Sequence, residues 1–179
     1  FHMEIPMKKY LGKFNSTALR KPRRTAAVLA GSLSLALACV SQADAQSAKP
    51  TTDLDVATAH KVITAALAEA QKGPPSSVFI VDNTGAVVAA ERMDGAFPAS
   101  ARIAQGKAET AAAFWQSTGN LENAANGGRA ALLSSGYVVM QGGIPLKIDG
   151  KVVGAVGVSG GNKDQDEAVA KAGAAAFGK

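Results

Sequence analysis

Residues 144–161 read IPLKIDGKVVGAVGVSGG, and this stretch determines the expected fold. Asp149-Gly150 lies between two apolar runs, which is the strongest short-range signal for a two-residue β-hairpin. The pattern predicts one strand from Ile144 to Ile148 and another from Lys151 to Ser159, ended by Gly160-Gly161. The domain is therefore expected to be built on an antiparallel sheet.

Two further regions extend this sheet. Val78-Phe79-Ile80-Val81 is an apolar run, followed by the turn sequence Asp82-Asn83-Thr84-Gly85 and a return strand from Ala86 to Arg92. Tyr137-Val138-Val139-Met140 is a further expected strand, separated from the next one by Gly142-Gly143. Because the strands come in hairpins rather than in alternating strand–helix units, they favour an α+β domain with a five-stranded antiparallel sheet.

Helical patterns flank these strands. Asp53 or Asp55 can cap a first helix that Gly73-Pro74-Pro75 ends, with an apolar stripe formed by Val56, Ala59, Ile63, Leu67 and Ala70. A second helix is predicted from Ala99 to Ser117, two short ones near residues 121–125 and 128–133, and a last one from Lys163 to Phe177. One face of the second helix permits close approach to a sheet or to another subunit, and it consists of Ala101, Ala104, Ala108, Ala111, Ala112 and Trp115.

The N-terminal quarter has the composition of an export signal. Residues 1–45 contain seven basic and two acidic residues, and the uncharged apolar run 25–40 is followed by the small-x-small site Ala43-Asp44-Ala45. With 16 residues this run is shorter than the roughly 20 that span a bilayer. We expect cleavage after Ala45 and a secreted or periplasmic protein, with residues 1–6 not native, a disordered linker at 46–52 and a domain at 53–179.

Two variants of this export signal stay open. Arg23-Arg24 could belong to a twin-arginine signal, and Cys39 could be a lipoprotein site, although the residues that usually accompany each of them are absent.

The composition after residue 45 excludes several classes of function. Residues 46–179 contain 12 basic and 12 acidic residues, so their neutral balance argues against nucleic acid as a partner. They contain no cysteine and one histidine, which excludes disulfides, cysteine-ligated metals, cysteine nucleophiles and sites with two histidines from one chain. No Gly-x-Ser-x-Gly elbow and no phosphate-binding glycine motif is present.

His60 is the sole histidine of the expected domain and lies on the edge of the first helix's apolar stripe. One interpretation is an amphipathic residue at the margin of the core. The other is a single axial ligand to a haem-type iron, since one imidazole beside an apolar wall suits such a site.

Arg92 and Met93 follow a strand end, where the sequence Arg92-Met93-Asp94-Gly95 is typical of a surface turn with a salt bridge. Alternatively they form a pocket rim, in which Arg92 would bind a carboxylate or propionate and Met93 would be a soft apolar wall or ligand.

Several other polar or flexible positions have either a structural role or a role in ligand binding. Lys107, beside the alanine face, is either solvated or paired with an anion in a pocket. Gly142 and Gly143 either form turns or expose backbone N–H groups to a ligand, as do the glycines of residues 157–161. Acidic residues at the start of the last helix complement its dipole or contribute to an iron site, and they are Asp164, Asp166 and Glu167.

In order along the chain, several motifs resemble one family. The matching stretches are Val81-Asp82-x-x-Gly85, Arg92-Met93-Asp94-Gly95-Ala96, Ser100-x-x-Ile103-Ala104-x-x-Lys107-Ala108-x-Thr110-Ala111, Gly142-Gly143-Ile144-Pro145, Asp149-Gly150-x-x-Val153 through Gly161, and Gln165-Asp166-Glu167-x-x-Ala170. Together they resemble the GlcG/HbpS family of haem-binding proteins, whose domain also closes some PduO-type corrinoid adenosyltransferases.

The resemblance implies a profilin-like domain that assembles into dimers or higher oligomers. It also implies haem binding for some members and extracellular redox sensing for the secreted ones. Thr110, in the matched motif of the second helix, becomes a second candidate contact beside His60.

Three functions are therefore expected in order of preference. The first is a secreted or periplasmic haem-binding protein for scavenging or redox sensing. The second is an accessory or sensor subunit that binds a small organic acid and works with a membrane-bound sensor or oxidase. The third is a haem-degrading or small-acid enzyme using Asp94, Lys107, Tyr137 or Asp166, but no pair of these has a spacing that indicates a mechanism.

Overall fold

The predicted hairpins form the centre of the molecule. In this computed structural model, which describes residues 54–178, four strands form one antiparallel sheet in the order β2-β1-β4-β3. The strands are β1 (Ser77–Asp82), β2 (Val87–Arg92), β3 (Gly143–Ile148) and β4 (Lys151–Ser159). The helices are α1 (Val56–Ala70), α2 (Ser100–Phe114), α3 (Thr118–Asn126) and α4 (Lys163–Ala175), with a 3-10 helix at Ala130–Ser134.

Both hairpin turns lie where the sequence predicts them. Asp149 and Gly150 have φ angles of 49° and 78°, the left-handed pair that a two-residue turn between twisted strands requires. In the other hairpin, Asp82 accepts hydrogen bonds from the N–H groups of Thr84 at 2.8 Å and Ala86 at 3.1 Å. Partial burial opposes ionisation of Asp82, but a hydrogen bond from the Thr84 hydroxyl at 2.6 Å and these two N–H bonds outweigh it and lower the pKa of its carboxyl group.

The prediction of five strands is wrong for the described part of the chain, because residues 137–140 are irregular. Their apolar side chains contact helices instead of pairing with a strand. Val138 lies against Gly106 of α2, and Val139 is buried with Leu121 of α3 and Leu132. An apolar β-branched run fits either environment, so the sequence pattern alone could not distinguish them.

The sheet separates two helical layers. Val156 and Val158 of β4 pack in one core with α1 and α4, whereas Ala155 packs on the opposite face with Ala108 of α2. Gly157 lies under α2, where a Cβ would be 2.5 Å from the amide nitrogen of Ala108 and would collide with the Ala104 carbonyl. The expected alanine face thus contacts the sheet.

The helix ends explain where the predicted boundaries differ. Asp55 caps α1, and its carboxylate accepts from the Thr58 N–H at 2.7 Å, which lowers the pKa of Asp55. Helix α2 ends at Phe114 because Trp115 adopts a left-handed conformation, with φ of 58°. Trp115 thus lies outside α2, and in this single chain Trp115 and Val56 are exposed rather than packed with the buried residues of their faces.

Antiparallel pairing collects four strand termini at one end of the sheet. Ser77 of β1 lies opposite Arg92 of β2 and Ser159 of β4, and Gly143 begins β3 beside them. We call this end the glycine end, because the Gly142-Gly143 and Gly160-Gly161 pairs flank it. Most of the candidate ligand residues lie here.

The expected signal peptide at 1–45 and linker at 46–52 lie outside the described residues. Within residues 54–178, no helix has the length and apolar character needed to cross a membrane.

Candidate ligand-binding site

A buried ion pair lies at the centre of the glycine end. The Lys107 side chain is 1% exposed and that of Asp166 is 5% exposed, and the ammonium nitrogen lies 2.7 Å from a carboxylate oxygen. Lys107 also donates to the carbonyl of Val158 at 2.9 Å. The second Asp166 oxygen accepts from the N–H groups of Gly160 and Gly161 at 3.0 and 2.9 Å. The pair therefore connects α2, the end of β4 and the start of α4.

The Gly142-Gly143 pair makes room for these charged groups. Gly142 has φ of 118°, and a Cβ there would lie 3.1 Å from the Lys107 nitrogen and 2.9 Å from the Asp166 Cβ. A Cβ on Gly143 would collide with the Lys107 carbonyl oxygen. The N–H of Gly143 donates to the Thr118 hydroxyl at 2.8 Å. The N–H groups of Gly143, Gly160 and Gly161 thus bind groups within the chain.

A cavity of about 190 Å³ opens over the ion pair. Its apolar lining is formed by Phe97, Ile103 and Met140, of which Phe97 and Met140 are 41% and 51% exposed. Its polar lining includes Ser159 and Gln141 beside Lys107 and Asp166, with Glu122 and Lys163 also contributing. One cavity therefore combines apolar surface with cationic hydrogen-bond donors.

Arg92 and Met93 lie at the glycine end but do not line this cavity. The Arg92 guanidinium donates to the carbonyl of Ala96, the residue before Phe97, and so stabilises the loop that carries Phe97 to the cavity. The Met93 sulfur accepts from the Ser76 N–H at 3.4 Å and packs against the core of α1 and α4. Their expected role in ligand binding stays a prediction.

The two candidate iron contacts, His60 and Thr110, do not lie at one site. His60 is exposed on α1, which lies on the opposite face of the sheet from α2, and it does not line the cavity. Thr110 is buried on α2, where its hydroxyl donates to the Gly106 carbonyl at 2.7 Å. The axial role of His60 and the contact role of Thr110 stay predictions.

The acidic residues at the start of α4 have separate partners. Asp166 binds Lys107, Asp164 accepts from the Gln141 amide at 3.1 Å, and Glu167 lies 2.5 Å from the Lys171 ammonium. Within residues 54–178, no three histidine, cysteine, aspartate or glutamate side chains cluster as a metal ion would require.

Four residues that line the cavity were not among the expected ligand residues, and they are Phe97, Met140, Gln141 and Ser159. Ser159 ends the clearest strand of the sequence, directly before Gly160-Gly161, and that position was the available signal. Met140 was assigned to a strand that does not form. The pairing of Lys107 with Asp166 spans 59 residues, and no sequence motif announces it.

Comparisons with known proteins identify the class to which this architecture belongs. The family model described as "Haem degrading protein HbpS-like" matches residues 54–175, so the chain belongs to the HbpS-like family. Protein GlcG of Escherichia coli strain K12 is 42% identical over 103 residues, which covers 56% of this chain and 77% of GlcG.

Two solved structures extend the likeness to three dimensions. A double mutant of Streptomyces reticuli HbpS has a TM-score of 0.67 and 31% identity to this chain. The match covers 88% of this chain and 100% of the HbpS chain. The PduOC–haem complex has a TM-score of 0.64 and 33% identity, covering 70% of this chain and 95% of that chain.

Proposed function

We propose that this protein binds haem outside the cytoplasm, at the cavity over the Lys107–Asp166 pair. The observation that carries the proposal is the combination of exposed apolar surface and buried cation in one cavity, in a family with a solved haem complex. A porphyrin is a large apolar ring with two carboxylates, so a site for it needs both kinds of surface.

The residues of the cavity fit the chemistry of this group. Phe97 and Met140 offer exposed apolar surface for the ring, and Lys107 and Lys163 offer cations for its carboxylates. Met140 also carries a thioether, one of the side chains that ligate haem iron in proteins. At about 190 Å³ the cavity is smaller than the roughly 300 Å³ at which small-molecule pockets begin, so it would accept only part of a porphyrin.

Bound haem would supply an iron centre for ligand exchange or electron transfer, which suits scavenging or redox sensing. The proposed export is supported by the basic, apolar and cleavable order of residues 8–45. Cell fractionation with an antibody against the protein tests this part, and recovery in the cytoplasmic fraction alone would contradict it.

Titration with haemin, followed by the Soret absorbance, tests the binding. We expect a saturable spectral change in the wild type. Met140→Ala and Phe97→Ala should weaken binding, while Leu133→Ala, another exposed apolar residue outside the cavity, should not. His60→Ala and Thr110→Ala belong in the same series, and both should bind like the wild type, because neither residue lines the cavity. Loss of the Soret change in either variant, with its fold retained, would contradict the cavity as the haem site. No spectral change with equimolar haemin would refute the proposal.

The size of the cavity favours a second candidate, a binding protein for a small organic acid. A molecule of a few heavy atoms would fit entirely within about 190 Å³ beside Lys107. This candidate gains support if a small acid raises the melting temperature and haemin does not.

A further inference from the structure

We propose that Ser159 and Lys107 form a carboxylate-binding subsite in the cavity at the glycine end. The inference rests on the proposed use of this cavity for a ligand, and it names the group that binds there. The starting observation is that the Ser159 hydroxyl makes no side-chain hydrogen bond with residues 54–178 that would give it a structural role.

Ser159 is 3% exposed, and its hydroxyl makes no side-chain hydrogen bond with residues 54–178. No fully buried side-chain nitrogen or oxygen of these residues lacks a partner, so the Ser159 hydroxyl is reached from the cavity that it lines. The other buried hydroxyls of this region all have partners, as found for Ser76, Ser77, Ser100, Thr110 and Thr118. A hydroxyl that lines a cavity and has no partner within the chain keeps its hydrogen-bonding capacity for a bound group. Such a group is therefore expected to serve a binding partner.

The side chain of Ser159 faces the cavity side of the sheet. Along β4, Ala155 and Gly157 point toward α2, and alternation places Ser159 on the same face. Its cross-strand neighbour Ser77 confirms this orientation, because the Ser77 hydroxyl bonds to that of Ser100 on α2 at 2.8 Å. Ser159 also lines the cavity together with Lys107.

Lys107 supplies a second hydrogen-bond donor at the same strand end. An ammonium group has three N–H donors, and the structure assigns two of them, to Asp166 and to the carbonyl of Val158. Val158 directly precedes Ser159, so the ammonium and the hydroxyl belong to the same strand end and line the same cavity. One N–H of Lys107 and the O–H of Ser159 are thus left for a ligand.

The free hydrogen-bond donors of the cavity, rather than its net charge, favour an anionic ligand group. Asp166 is neutralised by Lys107 and accepts two further N–H bonds, while Glu122 accepts the Gln141 N–H at 2.5 Å. Neither Lys163 nor Glu122 forms an ion pair with the described residues, so the two lysines and two carboxylates of the lining leave it formally neutral. A carboxylate has two acceptor oxygens, which matches the two free donors of Ser159 and Lys107.

A carboxylate in this subsite could be a haem propionate or a short free acid, and the experiment distinguishes the two. Haemin and its dimethyl ester are titrated into the wild type, Ser159→Ala and the control Ser134→Ala, an exposed serine outside the cavity. The short acids acetate and propionate are tested by thermal shift, with propionamide as the uncharged control.

We expect the wild type to prefer haemin over its ester by about tenfold, and Ser159→Ala to lose part of that preference, because Lys107 remains, while still binding the ester. The melting temperature of Ser159→Ala should stay close to that of the wild type, since the hydroxyl makes no side-chain hydrogen bond with residues 54–178; a structural role would lower it. Ser134→Ala should behave like the wild type in every titration.

The other outcomes separate the subsite from the proposed function. Equal binding of haemin and ester by both proteins would overturn the subsite and leave haem binding intact. If haemin fails to bind but acetate or propionate stabilises the wild type more than Ser159→Ala, the subsite stands with a small acid as its ligand. Failure of haemin and of both acids would overturn the two proposals together.

Discussion

Replacing Lys107 by Met tests the buried ion pair most directly. The substitution keeps the aliphatic length of the side chain but leaves the Asp166 carboxylate, 5% exposed, with only the N–H groups of Gly160 and Gly161. Removing one partner of a buried pair costs about 3–5 kcal/mol, because the remaining charge is uncompensated. For a domain of this size, the melting temperature should fall by roughly 10–20 °C.

Urea unfolding followed by circular dichroism measures this loss. The double variant Lys107→Met with Asp166→Asn provides the partner measurement, because Asn retains an oxygen for the two glycine N–H groups and removes the charge. It should recover part of the lost stability. Lys171→Met is the matched control, since Lys171 pairs with Glu167 at the surface and should contribute less than about 1 kcal/mol.

Two results would refute the reasoning. A loss below about 1 kcal/mol for Lys107→Met would place the pair among ordinary surface pairs. A double variant less stable than Lys107→Met alone would show that the uncompensated charge is not the cause of the loss.

Three further predictions follow from other parts of the chain. Gly157→Ala should destabilise the protein by about 1–3 kcal/mol in urea unfolding, because the added Cβ collides with α2, whereas Gly150→Ala meets no atom and is strained only by its φ of 78°. Asp82→Asn should reduce stability at neutral pH, but this difference should disappear on acidification: a lowered pKa gives stability that is present above the unfolded value near 4 and is lost as the pH falls through the folded value. Unfolding curves from pH 7 to 2 measure it, and a pH-independent difference would contradict the assignment. Ala45→Leu should block processing in the native host, so mass spectrometry should find the precursor, and continued cleavage after residue 45 would contradict the expected site.

The local features of the fold could be predicted because their causes lie within a few residues. Asp149-Gly150 specifies its own turn, and Asp55 caps the helix that follows it. Residues 137–140 could not be assigned in this way, since an apolar run is equally suited to a strand or to packing against α2 and α3. Their environment depends on tertiary packing.

The candidate site was predicted only in part for a similar reason. Lys107 was a candidate because it is a charge beside an alanine face, and Gly142 and Gly143 because they form a glycine pair at a strand end. The structure brings these three residues together. The importance of Ser159 depends on its place in the cavity and on a hydroxyl without a side-chain partner among residues 54–178, which its position before Gly160-Gly161 does not reveal.

The position of the ion pair has a consequence for how occupancy of the cavity can be observed. Lys107 belongs to the helix on one face of the sheet and Asp166 to a helix on the other, so the ion pair connects the two helical layers around the end of β4. A molecule that binds the ammonium therefore contacts a group that is bonded to elements on both faces of the sheet. The amides of Gly160 and Gly161, anchored on the same carboxylate, become natural reporters, and their hydrogen-exchange rates should register whether the cavity is filled.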